Sequence, residues 1–309
     1  MKRLKKPIGI IFVLFLFMNL VAFMQSYGFT HYAGEEKAVP LEIDSLTMKD
    51  KLQTIVFGLK KPRTKNITFP SYDYKTIVIG KNPKIECWEF THKKSKGTVI
   101  LFHGYGGKKS NMLDRAQVFA SEGYSFLLVD FMGAGGSEGD KTTIGYYESE
   151  QVKRCYDYIA KKDKNIILFG FSMGAAAIMK AVSDYSISPS SVILECPFST
   201  LYRTVCNRFN LLGVPQFPIA GMIVFWGGVQ HGFWGFSHNP SDYAVNMKSK
   251  VLLLHGKLDN RVGQDEMKLI YDNIPSKKVL LEYDDADHET IFSSSPARWK
   301  KDVFSFINS

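Results

Sequence analysis

Residues 166–174 read IILFGFSMG, and AAAIMK follows without a break. An apolar run of strand composition meets Gly170-Phe171-Ser172-Met173-Gly174 and passes at once into a helical segment. This G-x-S-x-G pattern constrains the fold more than any other feature of the chain. A strand that turns sharply into a helix crosses it closely, and the glycines keep Cβ atoms out of that crossing. The turn holds Ser172 in a strained backbone position with its hydroxyl exposed. The helix N-terminus behind it supplies backbone N–H groups that favour developing negative charge. A serine before a helix can also be a plain cap, but the strand feeding this one favours a presented hydroxyl.

The rest of the chain repeats that unit. Strands are expected at Lys75–Ile79, Ile85–Phe90, Thr98–Phe102, Tyr124–Val129, Asn165–Phe169, Val192–Leu194, Val251–Leu254 and Lys278–Leu281. Helices are expected near 48–58 and at Ser110–Glu122, Ile144–Lys161, Ser172–Ser183, Gln264–Asn273 and Pro296–Ile307. Short apolar strands separated by amphipathic helices imply an α/β fold, a mostly parallel sheet covered on both faces. The first two strands, joined by a turn at Gly80–Pro83, form an antiparallel edge. Residues 197–239 break the rhythm with eight Phe or Trp side chains, and the stretch is too long for a plain crossover. It reads as a small helical lid. Its rings either pack the lid onto the core, or line an acyl or aromatic pocket or touch a membrane.

A serine nucleophile needs a base, and the base needs an orienting acid. Of the seven histidines, His288 follows the last strand in DDADHETIF and suits the base. Asp259 follows the strand Val251–Leu254 at the carboxyl edge of the sheet and suits the acid, with Glu195 as its rival. Asp284, Asp285 and Asp287 are close to His288 in the chain and supply loop polarity. His255 packs behind its strand, and His231 and His238 lie in the lid. HGYGG at 103–107 ends another strand, and its glycines let the loop fold back towards the serine turn. The backbone N–H groups of Tyr105 and Met173 are the candidate oxyanion donors, and His103 packs that loop.

Other features exclude alternatives. DFMGAGGS at 130–137 has neither the phosphate-loop nor the dinucleotide spacing, so it reads as a shaped loop tied down by Asp130. The four cysteines, at 87, 155, 196 and 206, match no zinc pattern. No metal and no organic cofactor is implied. Ile8–Met24 is an apolar run interrupted only by Asn19, about 25 Å long as a helix and preceded by Lys2, Arg3, Lys5 and Lys6. Basic residues before the run place the rest of the chain outside the cytoplasm. An uncleaved single-pass anchor fits its length. A cleaved signal, with Ser26 and Gly28 near the cut and a secreted or periplasmic product, is the alternative. With those four charges set aside, the net +9 falls to about +5, too mild for a nucleic-acid footprint. The division is then 1–28 anchor or signal, 29–70 preamble and 71–309 catalytic domain, with the lid at 197–239 inside it.

TVILFHGYGG (98–107), LLVDFMGAGGSEG (127–139), LFGFSMGAAA (168–177), VLLLHGKLDNRV (251–262) and DHETIF (287–292) together resemble the α/β-hydrolase superfamily, within its serine aminopeptidase S33-like or BEM46-like group. The resemblance implies Ser172 as nucleophile, Asp259 as acid, His288 as base and N–H donors at Tyr105 and Met173. It implies hydrolysis of a small-molecule or lipid-like carboxylic ester through an acyl-enzyme. A peptidase or amidase, an acyltransferase and a noncatalytic scaffold of the same fold are the alternatives. Two departures bear on substrate. Relatives often carry Arg where this chain has Phe131-Met132, and Gly where it has Asp287.

Overall fold

The computed structural model describes residues 2–34 and 62–309, the first six of these as backbone only. The expected helix near 48–58 and the acidic pair Glu35 and Glu36 lie outside the described residues. Eight strands form one sheet: β1 (Lys75–Ile79), β2 (Ile85–Phe90), β3 (Thr98–Phe102), β4 (Ser125–Val129), β5 (Ile166–Phe171), β6 (Ser191–Glu195), β7 (Lys250–Gly256) and β8 (Lys278–Tyr283). Their spatial order is β1-β2-β4-β3-β5-β6-β7-β8. β2 runs antiparallel to both β1 and β4, and every pairing from β4 to β8 is parallel. The antiparallel edge and parallel body follow the alternation of apolar runs.

Between and after the strands lie α2 (Leu113–Ser121), α3 (Glu148–Ala160), α4 (Met173–Tyr185), α8 (Gln264–Asn273), the single turn α9 (Ile291–Ser294) and α10 (Pro296–Ile307). Alternate strand residues face opposite ways, and this period divides the core in two. Phe102, Leu168, Leu194 and Leu253 pack with α3, α4 and α8. Leu101, Phe169, Ile193 and Leu254 pack with α2 and α10, around a fully buried Trp299. Each such side chain withdrawn from water contributes roughly 1.5–3 kcal/mol. The carboxyl ends of the central strands are therefore held rigidly from both faces. The α/β-hydrolase fold expected from sequence is present, and it carries a helical insertion.

The insertion contains α5 (Leu201–Leu211), α6 (Ile219–His231), a short 3₁₀ turn at Gly235–Ser237 and α7 (Pro240–Tyr243). Its base is fixed by buried Glu266, which accepts from Ser199 N and Oγ at 3.0 and 2.6 Å and from Asn207 Nδ2 at 2.7 Å. The N-terminal helix α1 (Lys2–Thr30) continues past the apolar run and past residue 28. Thr30 Oγ1 donates to Ser26 O at 2.8 Å and steadies its last turn. Residues 8–30 are long and apolar enough to cross a membrane. Most side chains from Ile8 to Phe17 are exposed, whereas Val21, Ala22 and Ser26 are buried.

α1 packs lengthwise on α6. Trp226 Nε1 donates to Asn19 Oδ1 at 3.2 Å, and Gln230 Nε2 donates to Phe23 O at 2.8 Å. Phe23 and Trp226 meet edge to face, with ring centres 5.4 Å apart.

Candidate active site

Ser172 sits between β5 and α4 with φ 50° and ψ −110°, a conformation strained for any residue bearing a Cβ. Its amide donates to Glu195 O at 2.8 Å and continues the β5–β6 pairing to the turn itself. The flanking glycines are required by close approach. A Cβ at Gly174 would lie 2.4 Å from Phe102 O, and one at Gly170 would lie 2.6 Å from Ala175 N.

Two further loops meet this turn. The first follows β7, where Asp259 Oδ1 accepts from the amides of Arg261 and Val262 at 2.8 and 2.9 Å. The second follows β8 and carries His288. The two are laced together by backbone bonds, Lys257 N to Tyr283 O and Leu258 N to Ala286 O, both 2.9 Å. His288 Nδ1 lies 2.7 Å from Asp259 Oδ2, and Nε2 lies 3.0 Å from Ser172 Oγ. With the carboxylate accepting at Nδ1–H, Nε2 is left to accept the serine proton. Burial raises the Asp259 carboxyl, but the bond and charge of His288 and the two amides outweigh it and hold the group below the usual carboxylate range.

Glu195, the rival acid, is placed elsewhere. Its Oε2 accepts from Arg115 Nε and Nη2 at 3.1 and 2.7 Å, and Oε1 accepts from Trp299 Nε1 at 2.5 Å. It is a buried pillar beneath the sheet edge. Asp287 accepts from the amides of Glu289 and Thr290 at 2.8 and 3.0 Å and shapes the histidine loop, while Asp284 pairs with Lys257 at 2.6 Å. His255 Nε2 donates to Val262 O at 3.0 Å, behind the acid.

Cys196 is fully buried, and its Sγ lies within 4.8 Å of ligand atoms on Asp259 and His288. Burial, then the charge of Asp259, pushes its thiol well above the ordinary value, and His288 Nδ1 is already bonded to Asp259. These three donors are thus poorly prepared for a metal. All four cysteines are free thiols.

The loop 103–107 lies over the serine turn. A Cβ at Gly104 would meet the Phe171 ring at 2.7 Å. Buried His103 donates from Nδ1 to Gly104 O at 2.8 Å and accepts at Nε2 from Phe131 N at 3.1 Å, and burial pushes its pKa down. It is a neutral strut, as its sequence context implied. Met173 opens α4, so its N–H has no intrahelical carbonyl to reach.

Asp130 ties the neighbouring loop, accepting from Lys109 N at 2.6 Å, Lys109 Nζ at 2.5 Å, Asn66 Nδ2 at 2.8 Å and Gly136 N at 2.9 Å. Sequence reading missed buried Lys109 and the strap around Arg63–Asn66. Thr64 Oγ1 donates to Gly107 O at 3.0 Å, and Arg63 donates to Ser137 O. The only local hint was the lysine pair directly after HGYGG.

Two cavities flank the turn. A polar one is lined by Gly104–Gly107, Arg115, Phe171 and Glu289. An apolar one lies among α1, α5 and α6. Tyr105 lines both, and Ser172 lines neither.

Residues 93–219 match the family model described as serine aminopeptidase, S33. The chain is 23% identical to the uncharacterized protein YqkD of Bacillus subtilis, over 68% of this chain and 71% of that one. It is 25% identical to the lysophosphatidylserine lipase ABHD12 of Danio rerio, over 63% of this chain and 52% of that one. Among solved structures, the esterase Pf2001 of Pyrococcus furiosus superposes with a TM-score of 0.67 at 24% identity, covering 80% of this chain and 96% of that one. The fold and the strand–GFSMG–helix junction agree with that match: the chain has the α/β-hydrolase fold, and its residues 93–219 resemble the serine aminopeptidase S33 family.

Proposed function

We propose that this chain hydrolyses carboxylic esters through a covalent acyl-enzyme. The observation that carries the reading is the unbroken row Ser172 Oγ–His288–Asp259, with its bonds of 3.0 and 2.7 Å. Nε2 of His288 takes the serine proton as Oγ attacks the carbonyl carbon. The backbone N–H groups of Tyr105 and Met173 receive the oxyanion. The tetrahedral species collapses as the C–O bond breaks, and the proton on His288 passes to the leaving alkoxide. Water deprotonated by His288 then attacks the acyl-serine and returns the free acid. Asp259 keeps Nδ1 protonated and stabilises the imidazolium.

An ester fits better than an amide, because an amine must be protonated as it leaves and needs recognition of its own. A lipid-like ester is favoured by α1 beside the lid and by exposed Phe217, Leu212 and Trp234 on the lid surface. On this reading residues 1–28 are an uncleaved anchor, 29–70 a preamble and 71–309 an extracytoplasmic catalytic domain, with 197–239 as its lid.

A fluorophosphonate probe is expected to label the intact protein and to lose its target in Ser172→Ala, whose kcat/KM drops at least about a thousandfold. p-Nitrophenyl esters are expected to turn over faster than aminoacyl amides. An unlabelled wild-type protein would sink the enzyme reading, and faster amides would reverse the substrate ranking.

A further inference from the structure

The apolar cavity is walled by the last turns of α1, by α5 and α6, and by the loop carrying Tyr105. Phe29, Val205, Ile223, Val224 and Phe233 make it greasy. Tyr105 Oη donates to Phe29 O at 2.6 Å and closes the seam between the N-terminal helix and the HGYGG loop. The helix is thus part of the wall.

Two polar side chains face this space without a hydrogen-bond partner among the described residues. The Arg208 guanidinium lies 5.3 Å from the Phe29 ring centre and 5.1 Å from that of Tyr105. Among the described residues no carboxylate pairs with it, and its pKa is lowered by burial. An arginine stays charged under such pressure. His231 is 8% exposed, and neither ring nitrogen is bonded. Burial pushes its pKa down to about 4, so it is neutral and keeps one N–H to donate. The two rings offset only part of the hydration this partly buried cation gives up, and no counter-ion among the described residues supplies the rest. Groups so placed are complementary to an anionic oxygen that arrives on an apolar body.

We propose that this cavity binds a single-chain amphiphile, its alkyl chain between α1 and α6 and its anionic group, phosphate or carboxylate, on Arg208. The proposal names the substrate class of the hydrolytic site, and to that extent it rests on the ester-hydrolase reading. Tyr105 connects the two, because its ring borders the cavity and its amide belongs to the loop over Ser172. The position beside α1 puts the entrance where membrane amphiphiles reside.

The test uses the full chain carrying Ser172→Ala, in neutral detergent, titrated calorimetrically with hexadecyl phosphate, hexadecanoate and an uncharged hexadecyl glycerol ether. At least one anionic probe is expected to bind tenfold or more tighter than the ether. The stronger anion tells a phosphorylated head group from a free carboxylate. Adding Arg208→Gln is expected to erase the preference, and Arg208→Lys to keep part of it. Gly227 lines the cavity opposite Ser26, where an added Cβ would lie 3.8 Å from Ser26 Cβ, so the larger Gly227→Leu side chain is expected to weaken all three probes at least fivefold. Equal binding of the three probes, or a preference that survives Arg208→Gln, would overturn the proposal. If Arg208→Gln does not fold, the preference in the parent chain and in Arg208→Lys decides. No probe has a carboxylic ester and the protein has no Ser172 hydroxyl, so failure to bind is separate from failure to hydrolyse.

Discussion

Ser172, His288 and Asp259 come from three loops separated by 116 and 29 residues, yet they form one hydrogen-bonded line. The two candidate acids differ in what surrounds them. Asp259 touches His288, whereas both oxygens of Glu195 are taken by Arg115 and Trp299. Asp259→Asn is expected to lower kcat by roughly 10⁴-fold while leaving stability nearly unchanged, by analogy with triad enzymes in which the amide selects the wrong imidazole tautomer. Glu195→Gln is expected to act in the opposite manner. It leaves the buried Arg115 with only the half-exposed Asp114 as a carboxylate partner and costs about 3 kcal/mol of stability. Steady-state kinetics beside urea unfolding on both variants checks the assignment, and a stable but inactive Glu195→Gln would reverse it. That Ser172, Asp259 and His288 would meet was legible in the sequence because each follows an apolar strand, and the order serine, acid, histidine narrows the choice. Lys109, Arg63 and Asn66 were not. Their partners lie across 21 to 74 residues, and nothing in the local pattern marks a lysine that a fold will bury.

At the scale of elements, the strands were the most readable part. β3 begins and ends where its apolar run does, since side chains buried on both faces leave no polar alternation to blur the ends, whereas the more exposed β1 and β2 were marked by the turn between them. The insertion was legible as a helical stretch rich in rings, but its docking was not. Its second helix is apolar all round, and the sequence does not say which face meets α1. The insertion is also anchored by a histidine. His238 is fully buried, donates from Nε2 to Ile144 O at 3.0 Å and lies 3.2 Å from Tyr243 Oη. Burial pushes its pKa down to about 4 from 6.5. The unfolded chain therefore binds a proton that the native chain refuses. This contribution is complete above pH 6.5 and fades as pH falls towards 4, by roughly 3 kcal/mol in all. His238→Gln is expected to flatten the loss of stability between those limits, measured by urea titration at several pH values. An unchanged slope would remove His238 from the account.

For the whole molecule, α1 and residues 31–33 are tied to the hydrolase body. His31 pairs with Lys141 in a β-bridge, and Thr142 N donates to Thr30 O at 2.8 Å. Loss of residues 1–28 would strip Trp226 and Gln230 of α6 of their partners Asn19 and Phe23. The chain is therefore expected to stay in the membrane fraction after alkaline carbonate washing, and intact mass measurement is expected to find residues 1–28 still attached. A mature form beginning near Ser26 or Gly28 would contradict the anchor. The pairing of Asn19 with Trp226 also has a consequence for biosynthesis. Some two hundred residues separate them, and at 5–20 residues per second the ribosome needs about 10–40 s to traverse that interval. For that time the asparagine carboxamide oxygen must find another donor, and the newborn protein waits for its own later half before its first helix has a neighbour.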